Sequence, residues 1–182
     1  MATIVHGFDW PDRIVVGTIG EPGARTFYLQ ARTGSRVVSV ALEKQQAAIL
    51  AETIEEILDE LSRDDGNPFS VPGETPVELI DNEPLDQPVE PEFRTGSISL
   101  GWDPTTAQLV IEAYPVSDAE DDEPTSDEFE PAEMLIVRIP VGTARAFAKR
   151  TIEVVGAGRP LCPRCGSPMD ADGHTCPAEP GT

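Results

Sequence analysis

An α+β fold of two βββα units, with a short zinc-ribbon-like or zinc-knuckle-like C-terminal tail, is predicted by three features of the chain. β-branched runs joined by short turns occur in two groups of three. Each group leads into one stretch of helical periodicity, and all three cysteines fall within the last twenty-one residues.

Unit one is assigned residues 1–62. Its first strand, 13–19, is β-branched and ends at the turn-forming Gly20-Glu-Pro-Gly23. The second, 25–32, alternates Phe27, Leu29 and Ala31 with Tyr28, Gln30 and Arg32, the period-2 signature of a half-buried strand. Thr33-Gly-Ser35 then turns the chain into 36–42, so the three form an antiparallel meander. From about Glu43 to Leu61 the period becomes helical, with Leu50, Ile54, Ile57, Leu58 and Leu61 on one face and Glu52, Glu55, Glu56 and Asp59 elsewhere. That stripe is read as core packing.

Residues 63–95 lose periodicity and gather six prolines, which reads as a long extended linker that either wraps the domain or leaves it. Unit two, 96–158, repeats the order of elements. Strands are expected at 96–102, 108–114 and 133–139, then a helix over 143–155 that buries Ala144, Phe147, Ala148, Ile152 and Val155 and stops at Gly156 and Gly158. Thr53-Ile-Glu55 and Thr151-Ile-Glu153 fall at matching places in the two helices, a short echo of the repeat. Between the last two strands, eight of the fourteen residues 117–130 are acids, a self-repelling block expected to stay disordered. It has no glycine and no EF-hand ligand spacing, which argues against a calcium site there; Phe129 is a possible docking point.

The tail, 159–182, carries Cys162-Pro-Arg-Cys165-Gly and His174-Thr-Cys176. Two cysteines separated by two residues converge on one tight turn, and an i, i+2 pair shares one face of an extended segment. Three thiolates and one imidazole make a closed tetrahedral shell, so Cys162, Cys165, His174 and Cys176 are expected to hold a structural zinc ion. No glutamate or second histidine nearby suggests a general base for catalytic zinc. A disulfide would leave one cysteine over.

Composition narrows the function classes. Thirty-three acids against thirteen basic residues give a formal charge of −20, which repels polyanions and disfavours nucleic-acid binding. The sign suits solubility or a basic protein partner. No basic, apolar leader opens the chain and no run of about eighteen apolar residues could span a bilayer, so a cytoplasmic location is expected. There is no Gly-x-Ser-x-Gly, Walker or dinucleotide-binding motif, and His6, the one histidine outside the tail, lies on a terminus expected to be mobile.

The segments Phe8-Asp-Trp-Pro-Asp-Arg13, 25–32, Leu42-Glu-Lys-Gln45, Ala144-Arg-Ala-Phe-Ala-Lys-Arg150 and Gly158-Arg-Pro-Leu-Cys-Pro-Arg-Cys-Gly166 together resemble an uncharacterised actinobacterial family, domain-of-unknown-function family 3090. The resemblance covers nearly the whole chain outside the acidic loop. It implies a cytosolic protein with a similar metal-binding tail and no assigned activity.

The leading expectation is a non-catalytic protein-interaction or adaptor module stabilised by zinc. The alternative is a small anionic-ligand binder or an enzyme without a familiar motif, using basic residues at the helices. Lys44 and Arg145 are the candidate ligand-binding residues, because a helix N-terminus can hold an anion and a cation beside it reinforces the site. Nucleic-acid binding ranks third.

Overall fold

The computed structural model describes residues 3–21, 24–116 and 132–156; the acidic loop and the cysteine-bearing tail expected to hold zinc lie outside them. Seven strands and two long helices follow in the order β1 (Ile4–Asp9), β2 (Arg13–Ile19), β3 (Thr26–Thr33), β4 (Arg36–Leu42), α1 (Lys44–Arg63), β5 (Pro91–Asp103), β6 (Gln108–Pro115), β7 (Glu133–Pro140) and α2 (Val141–Gly156). Six strands and both helices lie within a few residues of where periodicity places them. The fold is mixed α+β, as expected.

The repeat is less regular than two βββα units. All strands share one sheet, ordered β1-β7-β6-β5-β4-β3-β2. The two meanders meet where β4 runs parallel to the start of β5, while β1 pairs in parallel with β7 as an added seventh strand. Residues 4–9, expected to be a mobile terminus, are therefore part of the sheet. β5 also begins five residues before the expected position, because Pro91 and Arg94 pair with Ser39 and Ala41 of β4. It then changes partner. A register slip between Thr95 and Ser97 hands the rest of β5 to β6. A Cβ on Gly96 would lie 2.8 Å from the Val116 Cα, so this bulge needs glycine for close backbone approach.

The strand order forces curvature. β1 and β2 stand at opposite ends of the sheet, yet only Trp10, Pro11 and Asp12 separate them. Six strand spacings of about 4.8 Å would put these edges roughly 29 Å apart in a flat sheet. Four residue steps reach at most about 14 Å. The sheet must curl: Trp10 N donates to Arg138 O at 3.1 Å, continuing the β1–β7 ladder, Asp12 N donates to Arg32 O at 2.8 Å, continuing the β2–β3 ladder, and Arg36 Nη1 of β4 donates to Gly7 O of β1 at 2.8 Å across the closure. The Arg36 guanidinium also lies 4.4 Å from the centre of the Phe8 ring.

One core runs through both meanders and both helices. Val16, Leu29, Val40, Ile111, Leu135, Val137 and Ile139 project from the strands against Leu50, Ile54 and Leu58 of α1 and Phe147 and Ala148 of α2. α1 starts in a capping box in which Glu43 and Gln46 satisfy each other's backbone amides. α2 departs from expectation by one position. Thr151 is buried, with its hydroxyl donating to Phe147 O at 2.8 Å, whereas Ile152 is 46% exposed. The stripe 144, 147/148, 151 keeps helical spacing, and residue 152 turns out of it.

The proline-rich linker wraps the domain. Val71 joins the core, a short 3₁₀ turn at Val77–Leu79 lies beside α2, and residues 81–86 cross the outer face of β2 and β3. That cover explains why Gln30, which alternation points outward, is only 1% exposed: it bonds Ser39 Oγ and both the amide and carbonyl of Asp86. Leu85 seats over Gly17, where an added Cβ would come within 2.6 Å of Leu85 Cγ. Gly17→Ala should therefore cost about 1–3 kcal/mol by overpacking. Urea unfolding of Gly17→Ala, Leu85→Ala and the double variant checks this; the double variant should lose less than the sum of the two.

Candidate functional site

Arginines determine how the wrapped domain closes, since Arg13, Arg32, Arg145 and Arg150 each reach a carboxylate or backbone carbonyl of a distant segment. Arg13, at the start of β2, grips Asp81 with two guanidinium nitrogens at 2.6 and 3.1 Å, donates to Glu83 O at 2.9 Å and reaches Asp86 at 3.3 Å. Arg32 on β3 meets the same Asp86 at 3.0 Å. Arg150 on α2 donates to Val16 O of edge strand β2 at 3.0 Å and to Asp81 O at 2.6 Å. These contacts satisfy an otherwise open strand edge.

The electrostatics match the geometry. The hydrogen bond to Asp81 is the main factor raising Arg13 above the ordinary guanidinium value, and burial opposes it. Burial pulls Arg150 down, with Asp81 acting the other way. The Arg13 hydrogen bond holds Asp81 below the ordinary carboxylate value. A cavity of about 200 Å³ between β2 and α2 is lined by Arg13, Asp81, Thr143 and Arg150. Its guanidinium groups are already taken by the linker, so the arrangement holds the fold together and offers an anion little.

The structure separates the two expected ligand-binding residues. Lys44 opens α1 and is exposed. Arg145 is 5% exposed and engages Glu55 and Asp59 of α1 and the carbonyl of Pro72. Glu55 lies eleven residues beyond Lys44, about 16 Å along a helix. Arg145 thus joins the helices and the linker, and the pair does not form one site. Its burial was not visible in the periodicity, because an arginine on an apolar stripe reads as solvent-facing.

An open apolar groove does form between α1 and β5. One stretch of about 480 Å³ is lined by Gln46, Ile49, Leu50 and Thr53 of α1 and by residues 96–100 of β5. A second, of about 370 Å³, continues it past Leu100 to Ile57, Leu61 and Trp102. Ile49 is 63% exposed at its lip. Trp102 is propped edge-on by Phe69, with ring centres 5.0 Å apart. Glu60 and Asp64 line the second stretch, and Glu52, Glu56 and Glu60 recur every four residues at exposed positions of α1, a like-charge spacing that does not favour a helix by itself.

One further cluster lies at the closure. His6 of β1, Glu133 of β7 and Glu92 of β5 can bring one donor atom each within 4.8 Å of one another. Sequence reasoning missed it, since 86 and 41 residues separate the three and only the curled sheet unites them. Cys162, Cys165, His174 and Cys176 lie outside the described residues. No helix among the described residues is long and apolar enough to cross a membrane.

The Asp81 contacts have a pH signature. A carboxylate whose folded value is depressed stabilises the fold above its unfolded value, near 3.9, and that contribution is lost as pH falls through the folded value. Asp81→Asn should cost about 1–3 kcal/mol at pH 7 by stranding Arg13, which is 8% exposed in its side chain. The difference from the parent chain should shrink below about pH 4. Urea midpoints at pH 7, 5 and 3 measure it.

No curated protein and no solved structure matches the chain in comparisons with known proteins. A family model does match, over residues 6–176, which takes in all of the sheet but the first two residues of β1, both helices, the acidic loop and Cys162, Cys165, His174 and Cys176: the chain belongs to the family described as Protein of unknown function (DUF3090).

Proposed function

We propose that this protein is a non-catalytic interaction module that binds another protein through the α1–β5 groove, with its tail held by structural zinc. The observation that carries the reading is the groove itself. Its first stretch is mostly apolar, it runs about 22 Å alongside residues 46–61 of α1, and it becomes acidic at Glu60 and Asp64, with Glu52 and Glu56 exposed on the same helix. That combination suits a partner segment with apolar anchors flanked by lysine or arginine. Apolar contact would supply affinity, while the acidic border and the −20 charge would speed encounter. A cytoplasmic setting fits such a role and a thiolate-rich tail.

The domain division that goes with this reading is a folded body over 1–158 and a zinc-binding tail over 159–182. Three thiolates and an imidazole suit a closed zinc shell, and in a tail with so few apolar residues the metal would provide much of the folding free energy. The anionic-ligand alternative is the weaker of the two, because Arg145 is already committed to Glu55, Asp59 and Pro72.

Two experiments test these readings. Recovery of partners from native cytosol should yield a protein that Ile49→Asp loses and that moderate salt weakens, while the circular dichroism of Ile49→Asp stays unchanged because residue 49 is exposed. Equal recovery by both chains would reject the groove. For the tail, Cys162→Ser should lower zinc content and expose residues 159–182 to protease with the body intact. Unchanged zinc content would overturn the ligand assignment.

A further inference from the structure

The geometry points to a second metal site, independent of the tail: a divalent first-row metal ion held by the His6 imidazole and the Glu92 and Glu133 carboxylates. The three donors come from β1, β5 and β7, so rigid strands set their positions. His6 Nε2 and Glu133 Oε2 are 3.0 Å apart. Two neighbouring ligands at about 2.1 Å from one ion would stand about 3.0 Å apart in octahedral geometry, so this pair already has the spacing of a coordinated edge. Glu92 completes the set from within 4.8 Å, and its exposed side chain can close the remaining gap by changing rotamer.

Burial and charge support the assignment. His6 and Glu133 follow the alternation that puts Phe8 and Leu135 in the core, and their side chains are only 16% and 25% exposed. They lie at the end of that inward-facing row. Glu92 has no ion-pair partner among the described residues, and Glu133 pairs only with His6. Two carboxylates held together in a chain of charge −20 repel each other, and a divalent ion relieves both at once. One nitrogen and two oxygens suit manganese, iron or zinc, with the remaining positions open to water. A metal there would bind β1 to β5 and β7 across the closure.

Mn²⁺ is the probe, because oxygen and nitrogen donors accept it while the thiolates of the tail favour softer ions. The full-length chain should bind one Mn²⁺ whose pulsed electron-paramagnetic-resonance signal carries imidazole nitrogen coupling. His6→Gln should remove that coupling. Glu92→Gln, at an exposed position that leaves folding intact, should weaken binding about tenfold or more. Mn²⁺ bound with the same affinity by Glu92→Gln, or bound without nitrogen coupling, would place the ion on the acidic loop or elsewhere and overturn the proposal. So would failure to bind Mn²⁺ at all.

Discussion

The structure depends on one connection that is too short for a flat sheet. Three residues join strands at opposite ends of a seven-strand order, so the two edges must approach each other. Curvature then gives the two helices a concave face to fill and produces a single core out of two meanders. It also requires a strand that can serve both halves, and β5 does so by changing partner at the Gly96 bulge. The groove and the His6 cluster are both by-products of this bending. One lies between α1 and β5, the other where Glu92 at the start of β5 approaches His6 of β1 and Glu133 of β7.

A curled sheet with a long linker leaves edges and outer faces to cover. The chain does this with few basic residues, and several of them are buried or half-buried and committed to partners. Arg13, Arg145 and Arg150 each contact a carboxylate and a backbone carbonyl from distant segments. A planar guanidinium can satisfy several acceptors at once, which a lysine cannot.

Much of the local structure was legible because local rules agreed with the final fold. The 25–32 segment alternates cleanly, its turns carry glycine, and the helix at 44–63 has one apolar stripe. Three things were hidden, each for a tertiary reason. β1 is a short strand whose partner lies 129 residues away, so no neighbouring turn announces it. The start of β5 contains Pro91 and Glu92, poor strand formers that pairing with β4 overrides. Gln30 and Arg145 read as solvated until the linker and α1 cover them. Cys162, Cys165, His174 and Cys176 are the opposite case: the expectation that they hold zinc rests on spacing alone, and they lie outside the described part of the molecule.

The parallel pairing of β1 with β7 also orders events in time. A ribosome adding roughly 5–20 residues per second needs about 6–26 s to travel from Ile4 to Glu133. Through that interval the nascent β1 has no β7 to pair with, and its one core side chain, Phe8, has no complete core to enter. The first meander and α1 can assemble meanwhile, but the closure waits for β7. Residues 4–9 are thus a late-docking segment, and Phe8 is the side chain whose burial waits on the synthesis of β7.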